Sequence, residues 1–217
     1  SGPNWDLPVF DPSLIQRIGD RRTFGRQINA VQTLSLVLHQ QRESIARCIA
    51  VGALRYFMLK YTRNSVIAFD FDEALSFEGE TGPYLQYTIV RSNNIFRKLA
   101  ERDAGWSGKQ LEEMIGHPPE DDRLRRWLAD DKIWALLREV SRLSEVTGQS
   151  VGTLELSTTA RHAFNVAQQL NLFYHNYHIL SEEEPERRVF YLLVVDTAQR
   201  GLRKLLDLLG IDVPERM

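Results

Sequence analysis

Between Ile45 and Tyr61, apolar side chains fall on nearly every side of a helix, at Ile45, Cys48, Ile49, Leu54, Phe57, Met58 and Tyr61. A helix lying on a surface carries one apolar stripe, whereas one that is apolar all round is expected at the centre of a bundle. Such a helix needs other elements to surround it. The chain has 217 residues, 43% of them hydrophobic, which is enough for one sizeable core.

The rest of the chain reads as helical too. Ile28, Val31, Leu34 and Leu38 keep a helical period from Arg26 onward, although Leu34, Leu36 and Leu38 also alternate as a strand would. Val66 to Phe71 reads as a short extended segment. Thr81-Gly82-Pro83 supplies a cap and a first-turn proline, predicting a helix that runs to about Leu99. Ser107 with Gln110, and Ser181 with Glu184, have the spacing of capping boxes and mark two further starts. Ile133, Leu136, Leu137, Val140 and Leu143 form one apolar stripe; Ala160, Ala163, Phe164, Ala167, Leu170, Tyr174 and Tyr177 form another. A last helix spans Val189 to Leu209, stopped by Gly210, Ile211 and Pro214. The predicted fold class is all-α, a helical bundle. Ser1 to Thr23, with Pro3, Pro8 and Pro12, reads as an irregular lead-in. Residues 1–41 are thus expected to hold a lead-in and first helix, and residues 42–217 the helical domain.

Charge and composition limit the function classes. The formal net charge is -2, from 27 basic and 29 acidic residues, so no global positive field recruits nucleic acid. No DNA partner is expected, and any RNA contact must be local. The single cysteine, Cys48, excludes an internal disulfide framework; no apolar run is long enough for a membrane span, and no leader is visible. A reducing, cytoplasmic setting without a membrane partner is the expectation.

Familiar catalytic signatures are missing from the sequence. It has no Gly-rich phosphate loop, no Ser/His/Asp signature and no Cys/His zinc pattern, which weighs against a self-contained nucleotide or metal enzyme. His175 and His178 lie three apart and could share a helical face, but no further ligand can be placed, so no metal site is expected. Cys48 sits in Ala-Arg-Cys-Ile-Ala and reads as a packed thiol. Ile115-Gly116-His117-Pro118 lacks the first histidine of a nucleotide-binding His-x-Gly-His signature.

The informative segment is Phe77-Glu78-Gly79-Glu80-Thr81-Gly82-Pro83-Tyr84-Leu85-Gln86-Tyr87. A stiff turn feeds a helix that carries Tyr84 and Tyr87 three apart on its first turns. Flat aromatic faces with a polar tip suit stacking on unpaired bases, and a helix N-terminus favours a phosphate. Arg91, Arg97 and Lys98 would continue a basic strip. The competing reading puts both tyrosines in the core and leaves the cations as a solvated face. The residues alone therefore reach a reader of single-stranded or loop RNA, or an ordinary helical core.

Several separated motifs carry a resemblance. Val51-Gly52-Ala53-Leu54-Arg55-Tyr56-Phe57-Met58-Leu59, Phe69-Asp70-Phe71-Asp72, and Phe77 to Tyr87 resemble the start of the C-terminal helical domain of arginyl-tRNA synthetases. Leu172-Phe173-Tyr174-His175-Asn176-Tyr177, Leu208-Leu209-Gly210-Ile211 and the terminal Pro214-Glu215-Arg216-Met217 resemble later motifs of that family in the same order. The likeness spans roughly Ser44 to Met217. It implies the all-α, DALR-type anticodon-binding domain of a class I synthetase, with tRNA-Arg as partner. By the resemblance, Tyr84, Tyr87, Tyr174 and Met217 contact the anticodon loop; Arg91 of the basic strip, and Arg216, whose charge offsets the terminal carboxylate beside Met217, join them as RNA-binding candidates on their charge alone.

The HIGH-type and KMSKS-type signatures of the family's catalytic domain do not occur in these residues. Arginine activation by this chain alone is not expected; ATP and arginine would be needed only by a parent synthetase, and the chain itself is expected to need no cofactor. A rival implication of the resemblance is a free-standing enzyme that has reused this domain to handle arginyl-tRNA, as fungal arginine-containing cyclodipeptide synthases do. No catalytic residue set can be named for it.

Overall fold

In the computed structural model the described residues are 21–103, 106–119 and 122–217, with side chains described from Leu38 onward. Regular structure among them is helical throughout: α1 (Arg21–Leu59), α2 (Phe71–Leu75), α3 (Gly82–Arg102), α4 (Lys109–Gly116), α5 (Asp122–Leu128), α6 (Asp131–Ser141), α7 (Leu143–Thr153), α8 (Leu156–Asn176), a 3-10 turn (Ile179–Ser181) and α9 (Pro185–Leu208). The all-α expectation holds. The chain divides into two compact units, Ser1–Ser44 and Ile45–Met217. In the first, the backbone is helical from Arg21, so the irregular lead-in ends at least three residues earlier than expected; Ser1 to Asp20 lie outside the described residues. Leu34, Leu36 and Leu38 are helical, which settles the strand alternative.

The second unit is built around α8 and α9, which pack on each other and between them touch α3, α4, α6 and α7. Its apolar interior has two parts. One gathers Ile95, Leu111, Leu136, Leu170, Phe173 and Phe190. The other gathers Tyr56, Leu85, Ala163, Leu202, Leu206 and Ile211.

The helix from Ile45 does not lie at the centre. Ala53, Tyr56 and Phe57 are buried, but Val51, Leu54 and Met58 are exposed. From Ile45 onward α1 is therefore a wall of the bundle, and its apolar character on every side does not translate into burial on every side. Small residues explain how its inner side fits. A Cβ on Gly82 would lie 2.3 Å from the Gly52 carbonyl oxygen, so α1 and α3 touch backbone to backbone.

Several expected boundaries shift for local reasons. Asp70 caps α2, its carboxylate accepting from the Glu73 amide at 3.0 Å, so Phe71 begins a short helix instead of ending an extended segment. Helix α3 starts as expected, with the Thr81 hydroxyl accepting from the Tyr84 amide at 3.2 Å, but it continues to Arg102. The Ser107 box is half made: the Ser107 amide donates to Gln110 Oε1 at 3.4 Å, while Gly108, at φ +77°, takes the cap position. The Ser181 box does not form. Ser181 ends the 3-10 turn, and α9 starts at Pro185, with the Glu182 carboxylate accepting from the Glu184 amide at 3.1 Å. The stripe from Ile133 to Leu143 is interrupted at Arg142, which separates α6 from α7. At the far end, Gly210 (φ +67°) donates to the Asp207 carbonyl at 3.0 Å and Ile211 to the Leu206 carbonyl at 2.9 Å. This is the expected glycine stop, a Schellman closure with buried Ile211 folded back on the helix.

Candidate RNA-binding site

Tyr84, Tyr87, Arg91, Lys98 and Arg102 follow one another along α3 at spacings of three, four, seven and four residues. Those spacings put all five on one side of the helix, aromatic at its start and cationic toward its end. Their surroundings differ. Tyr87 is 42% exposed, with Phe77 set edge-on against it at a ring separation of 6.4 Å. Tyr84 is half-buried, its ring tilted against Phe164 of α8 at 5.6 Å, so it belongs partly to the core. The sequence alternative of two core tyrosines thus applies in part to Tyr84 and not to Tyr87.

Arg91 joins this strip to α8. Its guanidinium carbon lies 3.9 Å from the centre of the Tyr174 ring, a stacked cation-π contact between half-buried side chains. Three of the expected residues, Tyr87, Arg91 and Tyr174, are therefore brought onto one surface. Next to them Tyr177, the residue that caps α8, is locked by neighbours: its ring lies 4.6 Å from Phe173 and 5.1 Å from Tyr191. Burial and a hydrogen bond to the Asp130 carboxylate both raise its phenol well above its ordinary pKa. It stays a neutral, fixed ring at any physiological pH.

The segment after α9 is pinned to α1 and α3. Gln86, fully buried between Tyr84 and Tyr87 in sequence, donates from Nε2 to the Asp212 carbonyl at 2.7 Å and to the Cys48 carbonyl at 3.2 Å. Cys48 Sγ lies 3.4 Å from the same Asp212 oxygen, and burial raises the pKa of this thiol, with Asp212 adding to the effect. This is a packed thiol, as expected. Arg55 donates to the Gly210 carbonyl, fastening the end of α9 to α1. Pro214 is buried, whereas Arg216 is exposed and Met217 is 38% exposed. The last residues thus leave an anchored segment and present their side chains outward.

Other sequence candidates separate. His175 lies in the last turn of α8, but α8 ends at Asn176, so His178 does not share its helical face. Phe77, Phe164 and Gln86 matter to the site and were not singled out individually. Phe77 and Gln86 lie inside the quoted motif, while nothing local in the sequence marks Phe164 as the backing of Tyr84. No described helix is long and apolar enough to cross a membrane.

Comparison with known proteins identifies the family of the domain. The arginine-tRNA ligase of Parabacteroides distasonis is 28% identical over 95% of this chain and 32% of its own length. That of Pyrococcus furiosus is 33% identical over 82% of this chain and 27% of its own. The structure of Thermus thermophilus arginyl-tRNA synthetase superposes with a TM-score of 0.64 at 32% identity, covering 81% of this chain and 28% of that one. The Plasmodium falciparum arginyl-tRNA synthetase shares the fold with a TM-score of 0.65 at 19% identity. The chain thus spans about a third or less of the length of these relatives. The DALR anticodon binding domain family matches residues 85–217, a stretch that contains Tyr87, Arg91, Tyr174, Arg216 and Met217. This chain belongs to the DALR anticodon-binding domain family.

Proposed function

We propose that this chain grips the anticodon loop of tRNA-Arg, as the tRNA-binding portion of an arginyl-tRNA synthetase. The observation that carries the reading is the surface on which exposed Tyr87 shares a helix side with Arg91, itself stacked on Tyr174 at 3.9 Å. Anticodon-loop bases are unpaired, and such bases are read by stacking on aromatic and guanidinium planes, while phosphate contacts add affinity without sequence information. Tyr84, Arg216 and Met217 complete the contact set.

The chemistry at the acceptor end falls to the catalytic part of a synthetase, which supplies the ATP and arginine sites; this chain needs no cofactor of its own. Its place is the cytoplasm, where its free thiol stays reduced. Because the net charge is -2, stacking must supply a large share of the affinity. Filter binding at fixed salt tests the reading: tRNA-Arg should bind more tightly than an unrelated tRNA, and equal affinities contradict it.

A further inference from the structure

A cavity of about 280 Å³ opens where the end of α3 meets the segment after α8, lined by Arg102, Tyr174, Tyr177, His178, Ile179 and Ser181 among others. Its volume lies just below the usual range for ligand sites and is too little for a helix of a partner protein. Its walls are preformed. Tyr177 is held by Phe173, Tyr191 and Asp130. The 3-10 turn is closed by the Ser181 amide, which donates to the His178 carbonyl at 3.1 Å, and by the Ser181 hydroxyl, which donates to the same oxygen at 3.2 Å.

Arg102 is the cation of this cavity. Arg97, five residues earlier, is neutralised by Glu101 at 2.7 Å, but exposed Arg102 has no ion-pair partner among the described residues. An arginine in a last turn also suits the helix dipole. The dipole accounts for its charge, not for the aromatic cavity beside it. Tyr174 belongs both to this cavity and to the stack with Arg91, so the cavity continues the strip that begins at Tyr84.

We infer that this cavity seats one unpaired nucleotide of the bound RNA, its base against Tyr174 and Tyr177 and its phosphate on Arg102. The inference rests on the RNA-binding reading above. Rings that are already fixed lose little conformational freedom on stacking, and a guanidinium matches the oxygens of a phosphate. One nucleotide is therefore held at its base by rings that do not need to move, and at its phosphate by the Arg102 guanidinium.

The test is the salt dependence of tRNA-Arg binding by the full chain, compared with Arg102→Ala, Ser181→Phe and Tyr87→Ala. Arg102→Ala should weaken binding about ten-fold and make the slope of log affinity against log salt shallower by about one, the signature of one lost phosphate contact. Ser181→Phe, which places a ring in the cavity mouth, should weaken binding with the slope nearly unchanged. Both variants should keep the melting temperature of the parent. If Tyr87→Ala weakens binding while Arg102→Ala and Ser181→Phe do not, the nucleotide seat is overturned and the anticodon-loop reading stands. If none of the three has an effect, both are overturned. Loss of affinity in Arg102→Ala at an unchanged slope overturns the phosphate assignment.

Discussion

The backbone of Gly52 in α1 meets Gly82 in α3 so closely that a Cβ on Gly82 would sit 2.3 Å from the Gly52 carbonyl oxygen and 2.6 Å from its carbonyl carbon. The obstacle is main chain, which cannot swing aside as a side-chain tip can. Gly82 opens the helix that carries Tyr84, Tyr87 and Arg91. Gly82→Ala should therefore force α3 away from α1 and cost about 1 to 3 kcal/mol of stability. Denaturant unfolding measures it; a variant as stable as the parent contradicts the backbone contact.

Tyr87 and Tyr84 should respond differently to truncation. Tyr87→Ala removes a 42% exposed ring and should leave folding nearly unchanged while weakening tRNA-Arg binding by about 1 to 3 kcal/mol. Tyr84→Ala removes a half-buried ring packed on Phe164 and should cost about 1 to 2 kcal/mol of stability as well. Melting curves run beside binding curves separate the two. A large stability loss in Tyr87→Ala alone would reverse their roles.

His162 gives the fold a pH dependence with a definite sign. It is buried in α8, with Nδ1 3.6 Å from Glu139 Oε2 of α6 and Nε2 unpartnered. Burial lowers its pKa; Glu139 and Glu145 pull it up and Arg142 pulls it down, and the net effect is a lowered value. The folded state therefore takes up this proton less readily than the unfolded chain, whose histidine titrates near 6.5. The stabilising contribution is present above about pH 6.5 and is lost as pH falls from there toward the folded pKa. Urea unfolding at pH 7.5 and 5.5 should show lower stability at 5.5, and His162→Gln should reduce that difference. An undiminished difference in His162→Gln points to another group.

The C-terminal segment divides into an anchored part and a contacting part. Removing Arg216 and Met217 takes away two outward-facing side chains and leaves buried Ile211 and Pro214 in place. The expected result is reduced affinity for tRNA-Arg at a nearly unchanged melting temperature. Unaltered binding would show that the terminal residues are outside the interface. Removing Ile211 onward should instead lower the melting temperature, because it strips a side chain that is 1% exposed.

Short-range chemistry in this chain was legible from its sequence. Thr81 and Pro83 gave the start of α3, Gly210 and Ile211 the end of α9, and the Ala160–Leu170 stripe the buried side of α8, because each depends on residues a few positions apart. What depended on distant partners was not legible. Ser181 has the spacing of a capping box, but Glu182 satisfies the Glu184 amide and Pro185 starts α9, so the box has no helix to cap. Val51, Leu54 and Met58 look like core residues and are exposed, since periodicity tells which residues are apolar and not whether a neighbour covers them. The stack of Arg91 on Tyr174 joins residues that only the folded bundle brings together, and Phe164 behind Tyr84 is of the same kind.

Competition between RNA fragments tests most directly whether the chain grips the anticodon loop of tRNA-Arg. A labelled tRNA-Arg bound to the chain is challenged with an isolated anticodon stem-loop of tRNA-Arg and with an acceptor-stem hairpin of the same tRNA, at one salt concentration. The stem-loop should displace the full tRNA at concentrations near those of unlabelled tRNA-Arg, and the acceptor hairpin should not. Displacement by the acceptor hairpin, or equal weakness of both fragments, would contradict the account.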